Sequence, residues 1–88
     1  PIGARRGAYY LRLMVDDRVG VMRGIAGALA DAQVSIAAAY QDRRDPGEAV
    51  PLVMTTHETT EAALLQGLAE IRRQNFVHDD CVIRIEQF

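Results

Sequence analysis

Lysine and tryptophan are absent from this 88-residue chain, and cysteine occurs once. All ten cations are therefore arginines, set against twelve carboxylates for a formal net charge of −2. A mildly acidic, mixed-sign surface lacks the basic footprint that nucleic acids and anionic membranes attract. Cys81 has no partner for an internal disulfide, which fits a reducing, cytoplasmic setting. Within a β-rich run it reads as a small buried hydrophobe rather than a reactive thiol. No stretch approaches the roughly 18–20 apolar residues of a membrane helix, and the N-terminus has no apolar signal core. The chain begins at Pro1, which fits either a removed initiator Met or a piece of a longer polypeptide. Length itself excludes most complete cofactor-dependent enzymes. A chain this short buries only roughly 60–65% of its unfolded surface, so it gains from pairing with another copy or a neighbouring domain.

Residues 1–8 carry two glycines, a proline and the Arg5-Arg6 pair without periodicity, and read as a linker or tail before a domain over residues 9–88. Tyr9, Leu11, Leu13 and Val15 alternate on one face of a first strand, with Arg12 on the other. Residues 16–20 break the alternation. Apolar residues at 21, 25 and 29 and at 22 and 26 then predict a helix ended by Gln33. Gly24 and Gly27 each cost about 1 kcal/mol inside it, which suggests close approach to a sheet or another helix. Residues 34–41 read as a second strand with Val34, Ile36, Ala38 and Tyr40 on one face. The turn chemistry of residues 42–47 leads into a third strand over residues 50–57, where Pro51 is tolerated only near the start or at a bulge. Thr59 or Thr60 can cap a second helix, whose apolar stripe is Leu64, Leu65, Leu68 and Ile71. Residues 75–80 read as a loop, and a closing strand over residues 81–86 places Cys81, Ile83 and Ile85 on one face. The predicted fold is α+β and ferredoxin-like: βαββαβ, a four-stranded antiparallel sheet with two helices on one face. Parity leaves Arg12, Met14, Ala37, Ala39, Val53, Val82 and Arg84 on the uncovered face, with Tyr10 its only aromatic.

No nucleophile elbow, phosphate loop or dinucleotide fingerprint is present. His57 beside Glu58 and His78 beside Asp79-Asp80 lack metal-ligand spacing and read as solvated loop ends. Asp16-Asp17 and Asp79-Asp80 have no second catalytic group at fixed spacing, so they read as turn formers. Similar topology in RNA-binding modules comes with strand aromatics and basic loops, which this chain lacks. The loop of residues 16–20 stands apart. Backbone N–H groups at Val19, Gly20 and Val21 would lie at the positive end of the helix dipole, where a carboxylate can be held, and Asp17 would face an α-ammonium. That suits a free amino acid. Asp17 as a plain helix cap fits the same spacing, and the spacing leaves both readings open.

The run from Tyr9 to Val21, followed by Ile25-Ala26 and Val34-Ser35-Ile36, resembles the opening of an ACT domain, an amino-acid-sensing regulatory module. Tyr40-Gln41, Met54-Thr55-Thr56-His57 and Val82-Ile83-Arg84-Ile85-Glu86 extend the resemblance, which more narrowly is to the C-terminal ACT domain of bacterial homoserine dehydrogenases. The family's loop usually reads Asp-Arg-Pro-Gly. Here Val19 replaces the proline, restoring an N–H and removing some rigidity. The resemblance implies a ligand site at Asp17, Val19, Gly20, Val21, Ser35 and Ile36, with Gln41 matching a glutamine implicated in threonine sensing. It implies that the parent is an NAD(P)-dependent oxidoreductase inhibited by threonine, while this chain carries no catalytic residues, no cofactor site and no metal site. By parity Ser35 and Gln41 share a face, but roughly 20 Å of strand separates them, so one ligand reaches both only across a dimer paired through the second strand. A free-standing sensor of another amino acid and a structural dimerisation module without ligand remain the alternatives.

Overall fold

Residues 6–41 and 47–87 are described by the computed structural model. Strand β1 (Arg6–Asp16) forms from the alternation at Tyr9, Leu11, Leu13 and Val15, all of which are buried. It is followed by α1 (Val21–Asp31), β2 (Ile36–Gln41), β3 (Ala49–Thr56), the two-residue β4 (Thr59–Thr60), α2 (Glu61–Arg72) and β5 (Val77–Gln87). Every strand pairing is antiparallel: β3 lies between β2 and β1, β5 pairs with β1, and β4 pairs with Arg6 and Gly7. The expected ferredoxin-like α+β order therefore holds, with β4 as a short addition.

Both helices present the stripes their periodicity predicts. Val21, Ile25, Ala28 and Leu29 of α1 and Leu64, Gly67, Leu68 and Ile71 of α2 are buried. They close over the side chains that β1 and β3 turn inward, Val50, Leu52 and Met54 among them. Thr60, not Thr59, caps α2, its hydroxyl oxygen accepting the Ala63 N–H at 3.1 Å, while Glu61 meets the positive end of the dipole. Leu65 departs from the expected stripe and is half exposed. Close approach accounts for Gly24 and not for Gly27: a Cβ at Gly24 would stand 2.8 Å from the Phe76 ring, whereas at Gly27 nothing lies within 4 Å. At Gly67, which the sequence reading passed over, a Cβ would stand 3.0 Å from Leu29, so α1 and α2 touch there.

Several boundaries differ from expectation. β1 begins at Arg6 rather than Tyr9, because β4 and β5 supply partners for Arg6, Gly7 and Ala8; residues 1–5 of the expected tail lie outside the described residues. Of the turn at residues 42–47 only Gly47 is described, and its φ of +92° suits glycine. Pro51 sits inside β3, but β2 pairs no farther than Leu52, so on that side its missing N–H breaks no observed ladder bond.

The larger corrections come from β-bulges, which add one residue to a strand and reverse its parity beyond that point. In β2, Ile36 faces Thr56 and Ala38 faces Thr55, leaving Ala37 as the extra residue. Past it, Tyr40 pairs with Val53 and joins Tyr10 and Arg12 on the uncovered face, while Ala39 and Gln41 pair with the buried-side Met54 and Leu52. In β5, Val77 faces Val15 and Asp79 faces Met14, so His78 is the extra residue. Beyond this bulge, the face that β5 turns inward is also opposite to the expected one: Cys81, Ile83 and Ile85 are exposed, and Val82 packs on the core. Arg84 lies on the helix side, where Glu61 of α2 accepts its Nη2 at 3.1 Å. Cys81 is thus an exposed thiol and not a core residue.

Candidate functional site

The chain leaves β1 at Asp16 and enters α1 at Val21 through a four-residue loop. Entry requires Gly20, whose φ of +91° places it in the left-handed region as the N-cap of α1. Gly20, the N-cap residue, has no side chain to cap the helix, and the N–H groups of the first turn lie at the positive end of its dipole. One of the three expected donors is partly engaged: the Val21 N–H reaches the Arg18 carbonyl at a long 3.4 Å.

A cleft of about 250 Å³ opens between this loop and the end of β2. Val15, Val21 and Leu52 supply apolar wall, Asp17 and Gln41 supply polar groups, and Val19 and Met22 stand at its edge. Asp17 is buried and engaged within the fold. Val19 is fully exposed. The bulge at Ala37 explains how Gln41 arrives here: without the added residue, its side chain would leave from the opposite face of β2. A volume of this size with an apolar wall and few polar groups suits a small ligand with charged ends.

Of the seven residues singled out in the sequence, Asp17, Val19, Val21 and Gln41 line this cleft, and Gly20 adjoins it as the helix cap. Ser35 and Ile36 do not reach it within one chain. Ile36 pairs with Thr56, four residues along β3 from the partner of Gln41, which is roughly 13 Å. Ser35 precedes β2, is exposed, and its carbonyl accepts the His57 N–H at 2.9 Å. The bulge also removes the premise that Ser35 and Gln41 share a face by simple parity.

Two groups at the site escaped the sequence reading. Asp16 lines the cleft, and its Oδ1 lies 2.6 Å from His78 Nε2. Arg18 also lines it, reaching Asp16 Oδ2 at 3.4 Å and Asn75 Oδ1 at 3.1 Å, with its guanidinium 5.7 Å from the Phe76 ring centroid. The hydrogen bond with His78 is the main cause holding the Asp16 carboxyl below its ordinary range, and Arg18 adds to it. His78 is therefore not the solvated loop end that its neighbours Asp79-Asp80 suggested. It is aimed by the bulge, for which the local sequence offers no sign. Among the described residues no three His, Cys, Asp or Glu side chains converge as a metal site would require, and no helix is long and apolar enough to cross a membrane.

The fold that carries this cleft recurs in known proteins. Residues 9–76 match the family model of the ACT domain. The chain is 38% identical over 72 residues to a homoserine dehydrogenase of Methylobacillus glycogenes, covering 81% of this chain and 18% of that one. It is 30% identical over 89 aligned positions to a homoserine dehydrogenase of Pseudomonas aeruginosa, covering 99% of this chain and 20% of the relative. The chain thus spans about a fifth of the length of the curated relatives it matches. Among solved structures, a homoserine dehydrogenase from Thiobacillus denitrificans superposes with a TM-score of 0.82 at 37% identity, over 98% of this chain and 18% of that one. The regulatory subunit of aspartate kinase from Thermus thermophilus shares the fold, with a TM-score of 0.70 at 11% identity over 94% of this chain and 57% of that one. By the extent of the family match and the identity to its relatives, this chain belongs to the ACT domain family, and it is a regulatory domain related to those of homoserine dehydrogenases.

Proposed function

We propose that the cleft between the β1–α1 loop and the end of β2 binds a free amino acid, threonine first among the candidates, and that binding regulates a homoserine dehydrogenase. The observation that carries this reading is the convergence of Asp17, Val19, Val21 and Gln41 on one small cleft at an uncapped helix start. First-turn N–H groups suit the α-carboxylate, Asp17 suits the α-ammonium, and Gln41 suits a side-chain hydroxyl. Ser35 and Ile36 enter the site only from a second copy paired antiparallel along β2, an edge strand with exposed Ala37, Ala39 and Tyr40. Effector bound between two such domains would bias the pairing geometry, and a catalytic part attached to them would sense the shift. NAD(P) and the redox chemistry belong to that catalytic part, none of whose motifs occurs in this chain. The test is calorimetric titration of the chain with the common amino acids. Saturable heat with threonine supports the reading, and binding of a different amino acid alone would make this a sensor of that compound. A flat isotherm with all of them overturns it in favour of a structural dimerisation module, the alternative that fully exposed Val19 favours.

A further inference from the structure

The bulge in β5 and the contacts around Asp16 join the cleft to a part of the domain that holds no effector in the reading above. Backbone and side chains both make this connection. The Asp16 N–H donates to the Phe76 carbonyl at 2.9 Å, Arg18 bonds Asn75 and covers the Phe76 ring, and His78 lies against the Asp16 carboxylate. Residues 75–78 therefore hold the β1 end of the short loop that shapes the cleft, at Asp16 and Arg18. Bulges re-aim side chains, and this one directs His78 at the only carboxylate oxygen of Asp16 that Arg18 does not reach.

From this arrangement we infer that His78 and Arg18 form a proton-dependent clasp on Asp16, so that carboxylate binding in the cleft strengthens when the His78 ring is protonated. The second half of this inference rests on the reading of the cleft as an amino-acid site. With His78 charged, Asp16 sits between two cations, and the negative charge that Asp16 and Asp17 set on the cleft is balanced by Arg18 and His78. With His78 neutral, the carboxylate of Asp16 keeps one long contact to Arg18 and repels an incoming anion. The other charged groups nearby are Asp17, buried and engaged in the cleft wall, Asp79, which flanks His78 along β5 and faces Met14, and Asp80, held by Arg72 of α2 at 2.8 and 3.0 Å. Asp80, its carboxyl held below the ordinary value chiefly by the hydrogen bond to Arg72, keeps its charge across the range in which an imidazole titrates.

The experiment follows the amide resonances of residues 16–20 of the full chain from pH 5 to pH 8, together with the His78 ring signals. His57, bonded through its backbone at the far end of β3, serves as the second imidazole for comparison. Loop amides are expected to move with the midpoint of the His78 ring and to be flat in His78→Gln. Asp16→Asn, which keeps the shape and removes the charge, is expected to be flat as well and serves if the first variant does not fold. Wild-type amides that ignore pH, or that titrate alike in either variant, overturn the clasp. In a parallel titration with threonine at pH 5.5 and pH 8, where both ionisable ends of the ligand keep their charge, wild type is expected to bind about two- to fivefold tighter at the lower pH, the range of an exposed ion pair. His78→Gln should show no difference. Equal wild-type affinity at both pH values overturns the link to binding. Absence of threonine binding at either pH overturns the reading of the cleft and the ligand half of this inference, while the amide titration judges the clasp by itself.

Discussion

Gly24 and Gly27 lie one turn apart on α1, and the same substitution should act on them with opposite sign. Replacing a helix-interior glycine by alanine recovers about 1 kcal/mol of backbone entropy and helix propensity. At Gly27 the new methyl meets nothing within 4 Å, so the whole gain is realised. For a domain of this size it raises Tm by roughly 4–8 °C. At Gly24 the methyl would lie 2.4 Å from Gln74 Oε1 and 2.8 Å from Phe76 Cζ. Gln74 can swing away, but its Nε2 then leaves the Gly24 carbonyl it bonds at 3.0 Å, a loss of about 1 kcal/mol. Phe76 is less free, since its carbonyl accepts from Asp16 and its ring lies beneath Arg18. Overpacking of that kind costs about 1–3 kcal/mol. The propensity gain offsets the lost hydrogen bond, and the steric cost remains, which lowers Tm by roughly 5–20 °C. Thermal melts at several protein concentrations separate this from any change in self-association. A Gly24→Ala protein that melts at or above wild type, or a Gly27→Ala protein that melts no higher, would refute the packing argument.

Asp17→Ala should weaken binding of threonine by about 1.5–3 kcal/mol, the worth of one charge-assisted contact. Because Asp17 is buried and engaged, Tm should fall too, and unchanged affinity at any Tm removes Asp17 from the site. Val19 has a negative φ, since Gln33 is the described non-glycine residue on the positive side; where that φ lies near proline's value of about −65°, Val19→Pro should stabilise by about 0.4–1 kcal/mol, with affinity raised if looseness limits binding and lowered if the Val19 N–H donates to the ligand carboxylate. A proline variant that is less stable and binds no better shows that the loop's geometry excludes proline, and the assignment of Gly20 and Val21 as donors falls with it. Ala39→Lys sets a charge on the exposed edge of β2 and should shift the mass from sedimentation toward monomer; an unchanged assembly mass rules this edge out. The Asp80 carboxyl is held below its ordinary value chiefly by its hydrogen bond to Arg72, so this pair stabilises the fold above about pH 4. That contribution is lost as pH falls through the lowered folded-state value. Urea midpoints of wild type and Asp80→Asn should differ at pH 7 and draw together as pH falls below about 4, and a gap that does not narrow on acidification would exclude the linkage.

Local sequence is enough to specify the elements whose side chains obey one unbroken period. Alternation over Tyr9, Leu11, Leu13 and Val15, the stripes of α1 and α2, and the Thr60 cap are local properties, set by backbone sterics and by which face must leave water. The resemblance of residues 9–21 likewise located the loop at Asp17 and Gly20. Gln41 and His78 are a different case, because a bulge places Gln41 in the cleft and another sets His78 against Asp16 at its rim. A bulge adds a residue where the partner strand's register requires it, and nothing in the runs around Ala37 or His78 marks that register. The phase of β5 shows the same limit. Taken alone, Cys81, Ile83 and Ile85 are the face that should be buried, yet α2 offers Arg72 to Asp80 and Glu61 to Arg84. Pairing these charges on the helix side leaves the isoleucines on the open face, half exposed. Which face of a strand turns inward depends on what the opposing element presents, and that partner is chosen only when the chain has folded.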